Sequence, residues 1–326
     1  MNLSAEEITA AYAAHGSKRA AAIALGVDRT TLRRWLKDIE RDGKPRLRVH
    51  KIANDAVLPG AYDQNRIQFA TCGQNGAQAS RCVAVLPDMH EPFADRRAVD
   101  TAIDHIFARH SPTDLMLPGD TADLYEFSRF AGTAKALPDN EIHGVVYRLE
   151  DLAKTFKDCR KWFLMGNHER RFVRYIQTSA PKLARIFGAS VPEIFQLERL
   201  GFTFHDNMES WERTGEFFKI GKLNYIHGDE LGGCGFVHMA ENMAKKYRGN
   251  ILFGHAHVSD ASKPQRDINR QVCKVWGMGC LHTTRPGYRA GANHFLGFAV
   301  VEYDADGSGH FTVYNYLLDD NYKVRL

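Results

Sequence analysis

The sequence has no apolar run near the roughly 20 residues that a membrane-spanning helix requires. Its first residues, MNLSAEEITAAY, lack the basic stretch followed by an apolar one that marks a secretory leader. The chain of 326 residues contains 6 cysteines, and none has the CxxC spacing of a thiolate metal site or a redox pair. These absences predict a soluble cytoplasmic protein with free thiols. With 44% apolar residues, the chain can form a substantial core.

The basic residues are concentrated at the N-terminus. Residues 1 to 51 contain 11 Lys/Arg and 6 Asp/Glu, whereas the remainder contains 32 and 33. This excess favours a polyanionic partner for the N-terminal segment, and a solvated basic face on a small helical bundle is the alternative.

Capping residues and apolar spacing predict three short helices near residues 5–14, 17–25 and 28–42. The third would bury a stripe made of Leu32, Trp35, Leu36 and Ile39. The segment RAAAIALGVDRTTLRRWLKDI resembles a homeodomain-like helix-turn-helix of bacterial and phage regulators. That resemblance implies DNA contacts from Arg29, Thr30, Thr31, Arg33, Arg34 and Lys37. A bundle that only packs on its neighbour or forms a dimer is the alternative.

Domain boundaries follow from composition. We expect a helix-turn-helix domain over residues 1–45 and a linker over 46–80, which is rich in Gly, Ala, Asn and Gln. Residues 65–72 could form an edge strand of the following domain. From residue 81 onward, strands alternate with helices, so an α/β domain over 81–326 with a largely parallel sheet is expected. Six later segments, 202–206, 216–221, 222–226, 271–279, 295–303 and 310–318, look like strands of a second sheet packed on the first.

Five apolar runs, VAVLP, DLMLP, KWFLM, LNYI and ILF, are each followed by metal-ligand residue types. Those residues are Asp88 and His90, Asp120, Asn167 and His168, His227, and His255 and His257. Because ligands of open α/β sheets gather beyond the carboxyl ends of strands, these side chains should meet at one point around Asp120. Asp88 and His90, like His255 and His257, are two residues apart, so each pair should project to one side of an extended backbone.

The ordered set DMH, GD, GNHE, H and GHAH resembles the calcineurin-like metallophosphoesterase superfamily. The stretches GCLHTTRPGY and NHFLGFAVVEYDADG are further similar to phage and prophage members. The resemblance implies a four-layer αββα sandwich with a dinuclear metal site at one edge. It further implies that Asp88, His90 and His257 bind one ion, that Asn167, His227 and His255 bind the other, and that Asp120 bridges them.

Carboxylate, amide and imidazole ligands without thiolate suit two divalent ions, with Mn first and Zn, Fe or Ni as alternatives. Two ions about 3.5 to 4 Å apart can clamp a phosphoryl group and activate a bridging hydroxide for in-line attack. His168 would then face the leaving group as proton donor or electrostatic stabiliser, or be a core histidine. Four acids, Asp123, Glu169, Asp229 and Asp260, could orient the imidazoles, although a turn or capping role is an equal alternative for each.

The sequence leaves several classes of phosphoester substrate open. Protein phosphatases of the superfamily carry Arg after GDxxD, where this chain has Leu124. The leading hypothesis is a phosphodiesterase or nuclease acting on DNA, with Arg170, Arg171 and Arg174 near the phosphates. The second is a phosphomonoesterase or nucleotide pyrophosphohydrolase covered by the aromatic segment 124–137. The third is a DNA-binding regulator with a non-catalytic esterase domain. His282 and His294 lie in a segment that could line the rim of the site, with or without a substrate role.

Overall fold

The structure is a computed structural model, and it describes residues 5–15, 21–22, 24–25, 32, 36, 39, 81–127, 138–179, 181–182, 190–231, 238–267, 269–283 and 294–326. The chain divides into two compact units, Met1–Arg66 and Ile67–Leu326. In the described part of the chain, no helix is both long enough and apolar enough to cross a membrane.

The first unit contains helix α1, Ala5–His15. Ile8, Ala21, Ala22 and Leu32 form its buried core, and Tyr12, Leu25, Leu36 and Ile39 pack against them. Three members of the predicted stripe therefore lie in or against this core. Trp35, most of the two following helices and all six predicted DNA-contacting residues lie outside the described residues.

The helices of the second unit are α2 Arg96–Arg109, α3 Pro138–Thr155, α4 Asn167–Ser179, α5 Val191–Ile194, α6 Asn207–Thr214 and α7 Met239–Tyr247. Its strands are β1 Arg81–Val85, β2 Asp114–Leu117, β3 Arg160–Leu164, β4 Phe202–His205, β5 Lys219–Ile220, β6 Leu223–Ile226, β7 Ile251–Phe253, β8 Asp260–Ala261, β9 Gln265–Arg266, β10 Val272–Cys273, β11 Val275–Gly277, β12 Gly297–Tyr303, β13 Phe311–Leu318 and β14 Val324–Arg325.

Two mixed sheets form the framework of this unit. The larger has the order β14-β13-β12-β1-β2-β3-β4, with β1 to β4 parallel and β12 to β14 antiparallel. The smaller has the order β5-β6-β7-β11-β8, with β6, β7 and β11 parallel. An α/β fold with parallel and antiparallel pairing is therefore confirmed.

One expectation about the sheets is wrong. Segments 202–206, 295–303 and 310–318 do not join the second sheet, because β4, β12 and β13 extend the first one. Strand propensity and periodicity identify a strand but carry no information about its partner, which is decided by long-range packing. The proposed edge strand near residues 65–72 and the linker over 46–80 lie outside the described part of the chain.

Alternating side chains of the larger sheet enter two different cores. Ala84 and Val300 pack with residues of α2, α3 and α5, whereas Val83 and Val301 pack with Leu223 and other residues of the smaller sheet. The smaller sheet packs on its other side against α7 through Ile226, Phe253 and Val275. The period of two along each strand thus places one sheet face on helices and the other on the second sheet.

Asp114, at the start of β2, is a buried acid of the framework. Its carboxylate accepts hydrogen bonds from Nε and Nη2 of Arg81 at 3.0 and 2.6 Å, from Nη2 of Arg160 at 2.9 Å and from Nε1 of Trp162 at 2.9 Å. Burial favours the neutral acid, but these donors outweigh it and lower the pKa of Asp114 below its ordinary value.

Candidate metal centre

The loops that follow β1 and β2 are bonded to each other through their backbones. His90 N donates to Asp120 O at 2.9 Å and Glu91 N donates to Thr121 O at 2.9 Å. Asp123 N donates in return to Glu91 O at 3.0 Å. The loops leave adjacent parallel strands, so their ends lie at one edge of the sheet and can pair in this way.

Glu169 fixes the loop after β3 to the loop after β2. Its fully buried carboxylate accepts hydrogen bonds from the backbone N atoms of Asp120 at 3.0 Å, Ala122 at 3.0 Å and Gly166 at 2.9 Å. A Cβ on Gly166 would collide with the backbone N and Oδ1 of Asp120. Glu169 therefore positions both loops, and the sequence requires glycine at residue 166 because the two backbones meet there.

One group of ligand-type side chains forms around Asp88. Nε2 of His257 lies 3.3 Å from Oδ1 of Asp88 and 3.2 Å from Nε2 of His90. Nε2 of His90 lies 3.7 Å from Oδ2 of Asp120. Together these four residues can offer one ligand atom each to a single ion.

A second group forms on the other side of Asp120. Nε2 of His227 is 3.1 Å from Oδ2 of Asp120, 2.9 Å from Oδ1 of Asn167 and 3.1 Å from Nδ1 of His255. Asp120, His227 and His255 form a further set that could hold an ion. The structure thus brings all seven predicted ligands together, with Asp120 in both groups.

The donor set fits divalent cations. One N–H on Nε2 of His227 cannot satisfy the three acceptor atoms around it, whereas a cation accepts lone pairs from all of them. In the described residues, Oδ2 of Asp88, Nδ1 of His90 and Nδ1 of His227 are buried without hydrogen-bond partners. Buried polar atoms are normally paired, so these orphans favour a site built for a charged ligand. These buried Asp and His groups could hold metal ions.

The ligand residues after the strands have left-handed backbone conformations. The expectation that the pairs Asp88 and His90, and His255 and His257, lie in extended backbone is therefore wrong. The φ angles are 46° at Asp88, 48° at His90, 48° at Asp120, 61° at His255 and 55° at His257. Non-glycine residues avoid this region, so tight turns at the strand ends, rather than strand alternation, aim these side chains. Sequence spacing alone cannot reveal such a turn.

His168 is aimed at the same centre by Asp123. Nδ1 of His168 lies 2.7 Å from the backbone O of Asp123 and 2.8 Å from its Oδ1. These two acceptors are closer to Nδ1 than the single donor beside it, Nη1 of Arg171 at 3.0 Å, and therefore favour a proton on Nδ1. Nε2 faces Oδ2 of Asp120 at 3.7 Å. The sequence left Asp123 as either an orienting acid or a turn acid, and the structure pairs it with the imidazole.

Burial and charge interactions separate the pKa values of these groups. Burial raises the pKa of Asp88 and opposes ionisation of Asp120 as well, but His168 and His227 hold the pKa of Asp120 well below its usual range. Burial and the nearby His227 lower the pKa of His255 to about 3, so its imidazole remains neutral. A neutral imidazole is the form that binds a metal ion.

The arginines after the GNHE motif have different environments. Arg170 donates to Asp229 at 2.9 and 3.0 Å and to Asp206 at 3.0 Å. Its guanidinium is therefore already paired with two carboxylates, and its role at phosphates stays a prediction. Nη1 of Arg171 lies 3.0 Å from Nδ1 of His168, and 27% of the Arg171 side chain is exposed. Arg174 is exposed on the same helix.

The remaining candidates have simpler positions. Asp229 is the partner of Arg170, and Asp260 begins the short strand β8, whose residues pair with β11. Within the aromatic segment, residues 125–127 form a 3-10 helix and Phe127 packs edge-on against Phe172. Residues 128–137 lie outside the described part of the chain.

Sequence reasoning missed how closely the segment after β11 approaches the centre. The ring of His282 is 4.7 Å from that of His90 and 4.6 Å from that of His257, centroid to centroid. His294 is 4.5 Å from His257. The sequence offered one signal for this group, the spacing Cys280-x-His282 next to a strand. The histidines that complete the group, His257 and His294, lie in other segments.

Comparisons with known proteins give limited information. No family model matches the sequence, and no curated protein matches it. Among solved structures, the chain is similar to an NAD nucleotidase of Haemophilus influenzae, with a TM-score of 0.34 and 8% identity. The match covers 76% of this chain and 53% of the nucleotidase chain, so it spans about half of that protein.

Proposed function

We propose that the chain is a hydrolase that uses two divalent metal ions to cleave phosphoester bonds, foremost phosphodiesters of DNA or a nucleic-acid-derived substrate. The observation that best supports this proposal is the position of Asp120. Its Oδ2 lies 3.1 Å from His227 in one ligand group and 3.7 Å from His90 in the other. A carboxylate shared by two imidazole-containing groups is suited to bridge two ions.

In this proposal Asp88, His90 and His257 would hold one ion, Asn167, His227 and His255 would hold the other, and Asp120 would bridge them. Mn is our first choice, with Zn, Fe and Ni as alternatives, because the ligands are oxygen and imidazole donors. When bound, the ions supply Lewis acidity at the phosphoryl group and lower the pKa of the attacking water.

His168 is the proposed proton donor to the leaving oxygen. Burial alone would lower its pKa, but Asp120 and Asp123 outweigh burial and raise it, which favours the imidazolium that a proton donor requires. Asp123 accepts from Nδ1 and leaves Nε2 directed toward the centre. A general acid in this position contributes typically about 10²- to 10⁴-fold to rate.

The wider architecture belongs to the same proposal. We assign residues 81–326 to a four-layer αββα domain, supported by separate cores on the two faces of the larger sheet and behind the smaller one. We assign residues 1–45 to a helix-turn-helix that binds DNA, with 46–80 as the linker. The basic excess of the first 51 residues supports that assignment.

Hydrolysis of bis-p-nitrophenyl phosphate and p-nitrophenyl phosphate by metal-stripped protein tests the proposal. Mn, Zn, Ni or Mg is added back, and Asp120→Asn is the matched isosteric variant. We expect turnover that requires metal, favours the diester and is abolished together with metal loading in Asp120→Asn. Monoester preference would redirect the proposal to a phosphomonoesterase or nucleotide pyrophosphohydrolase. No metal-dependent turnover of either substrate would leave a regulator with a non-catalytic esterase domain.

The DNA-binding assignment has its own test. Binding of duplex DNA is measured over a range of salt concentrations for the full chain and for the chain without residues 1–45. Loss of phosphate contacts should weaken binding and flatten its salt dependence. Unchanged affinity and slope after the deletion would show that the N-terminal helices serve packing or dimerisation instead.

A further inference from the structure

A second set of metal-ligand side chains lies behind His257, and we refer to His257, Cys280, His282 and His294 as the histidine–cysteine cluster. Each of the four can offer one ligand atom, and these atoms all lie within 4.8 Å of one another. Only His257 belongs to the seven proposed ligands of the dinuclear site. The other three come from the segment after β11 and the segment before β12.

Backbone hydrogen bonds hold the segments of the cluster together. Cys280 N donates to Phe295 O at 2.8 Å, and Phe295 N donates to His257 O at 2.9 Å. Leu281 N donates to Asp88 O at 3.2 Å, which ties the same segment to the loop after β1. The framework therefore holds together the segments that carry the four side chains.

The two ring nitrogens of His257 face different groups. Its Nε2 lies 3.3 Å from Oδ1 of Asp88, whereas its Nδ1 lies 3.1 Å from Nε2 of His282. The ring of His294 approaches His282 at 5.1 Å, centroid to centroid. One imidazole of His257 thus connects the dinuclear site to the cluster.

Packing alone does not account for this composition. Cys280 is fully buried and His282 is 1% exposed. Nδ1 of His282 has no hydrogen-bond partner of good geometry among the described residues, although the Thr283 backbone interacts with the ring. Burying the His282 imidazole without a well-formed hydrogen bond at Nδ1 costs free energy that an apolar side chain would not, so a ligand that accepts its lone pair is a better explanation.

We propose that the histidine–cysteine cluster is an additional metal site that binds a thiophilic divalent cation, with zinc as the best-matched ion. Three imidazoles and one thiolate supply four nitrogen and sulfur ligands, the number and types that tetrahedral zinc takes. The thiolate separates this site from the oxygen-rich dinuclear site, because soft sulfur selects against Mn and Mg. Binding displaces the proton of the Cys280 thiol and the proton shared between Nδ1 of His257 and Nε2 of His282.

The proposal does not require phosphoester hydrolysis, but it predicts a link between the sites. A cation on Nδ1 of His257 would fix the ring whose Nε2 faces Asp88 and His90. The cluster would then hold one dinuclear ligand rigid in the way that hydrogen-bonded partners orient metal-bound histidines.

Cobalt is the probe for the test, because Co(II) occupies zinc sites and a coordinated thiolate gives it a near-ultraviolet charge-transfer absorption. The full chain is stripped of metal, loaded with Co(II) and desalted, and cobalt per chain is measured with the spectrum. We expect the thiolate band in the wild type and its loss in Cys280→Ser. Cys273→Ser, another buried free cysteine, is the matched control and should keep the band.

Two further variants make the result independent of the proposed function and of a folding defect at Cys280. His294→Asn alters a half-buried residue and should bind about one equivalent of cobalt less per chain. His227→Asn should lose cobalt from the dinuclear site but keep the thiolate band. Absence of the band in the wild type, or a band that persists in Cys280→Ser, would overturn the site. Equal cobalt in wild type and His294→Asn would overturn it as well, and would leave His282 only as a hydrogen-bond partner of His257.

Discussion

Oδ1 of Asp123 lies 2.8 Å from Nδ1 of His168, so a carboxylate from the loop after β2 pairs with an imidazole at the first turn of α4. The same Asp123 has a pKa below its ordinary range. Burial opposes that shift, but the adjacent imidazoles of His168 and His90 outweigh it. Asp123 is therefore ionised at neutral pH and holds His168 with its other nitrogen facing Asp120.

Asp123→Asn should lower kcat without removing metal. The amide oxygen can still accept a hydrogen bond from Nδ1 of His168 but no longer stabilises the imidazolium by charge. Loss of an orienting partner of this kind typically lowers activity by about 10- to 100-fold. We expect that loss in kcat, with metal content per chain unchanged and the alkaline limb of the pH–rate profile, where His168 loses its proton, displaced to lower pH. Asp104→Asn, an exposed acid on α2, is the control. A drop in metal content equal to the drop in kcat would contradict the positioning role.

Gly166→Ala should damage the metal centre through backbone displacement. The added methyl group would collide with the backbone N and Oδ1 of Asp120, so Asp120 must move or the chain must absorb the strain. Overpacking of this kind costs about 1 to 3 kcal/mol of unfolding free energy. We expect lower thermal stability and weaker metal binding measured by calorimetric titration.

The matched control is Gly144→Ala on α3, where a Cβ meets nothing within 4 Å. Alanine is the better helix former by about 0.5 to 1 kcal/mol, so this variant should be unchanged or slightly more stable. If both variants bound metal like the wild type, Asp120 would tolerate displacement and the close approach would be unimportant.

Asp114→Asn should destabilise the fold at neutral pH by about 2 kcal/mol, because the donors of Arg81 and Trp162 lose a charged acceptor. The pKa of Asp114 is lower in the folded chain than the ordinary value of about 3.9. Its stabilisation is therefore full above that value and is lost as pH falls through the folded-state pKa.

Urea unfolding in the presence of a chelator measures this effect at neutral pH and near pH 3.5. The difference between wild type and variant should narrow in acid. A deficit that is equal at both pH values would show that ionisation of Asp114 contributes nothing and that only hydrogen-bond geometry was lost.

Glu141→Gln should stabilise the protein at higher pH. Burial raises the pKa of Glu141 to about 7. The charge of Asp123 adds to this rise, and a hydrogen bond donated by the Tyr125 backbone N–H opposes it. Between the ordinary value of about 4.3 and about 7, the folded chain binds more protons than the unfolded chain, so stability falls as pH rises. Above that range the wild type retains an ionised buried acid that glutamine removes.

We expect a gain on the order of 1 kcal/mol for Glu141→Gln at pH 8 and little difference at pH 4.5, measured by thermal or urea unfolding. Glu212→Gln, an exposed change on α6, should show no such pH dependence. A stability difference that does not vary with pH would refute the raised pKa.

The ligand residues were accessible from sequence because each follows a short apolar run. Asp120 after β2 and His227 after β6 were recognised as strand-end residues, and the structure gathers the predicted ligands at one point. Parallel strands end at a common edge, so a local pattern repeated along the chain was enough to predict a meeting point.

Other features depended on contacts between distant residues. Periodicity did not show that β12 and β13 belong to the first sheet, nor that Arg170 is bound by Asp206 and Asp229. In each case the residue type allowed several partners, and only the packing of the whole unit selected one.

By itself, then, the sequence determined the α/β class and the identity of the candidate ligands, because strand alternation and residue chemistry are local properties. The tertiary structure decided the left-handed turns that aim the ligands, the pairing of Asp123 with His168 and the assembly of Cys280, His282 and His294 behind His257. Those features arise where separate chain segments meet, and steric and hydrogen-bond constraints between segments have no signature in any one of them.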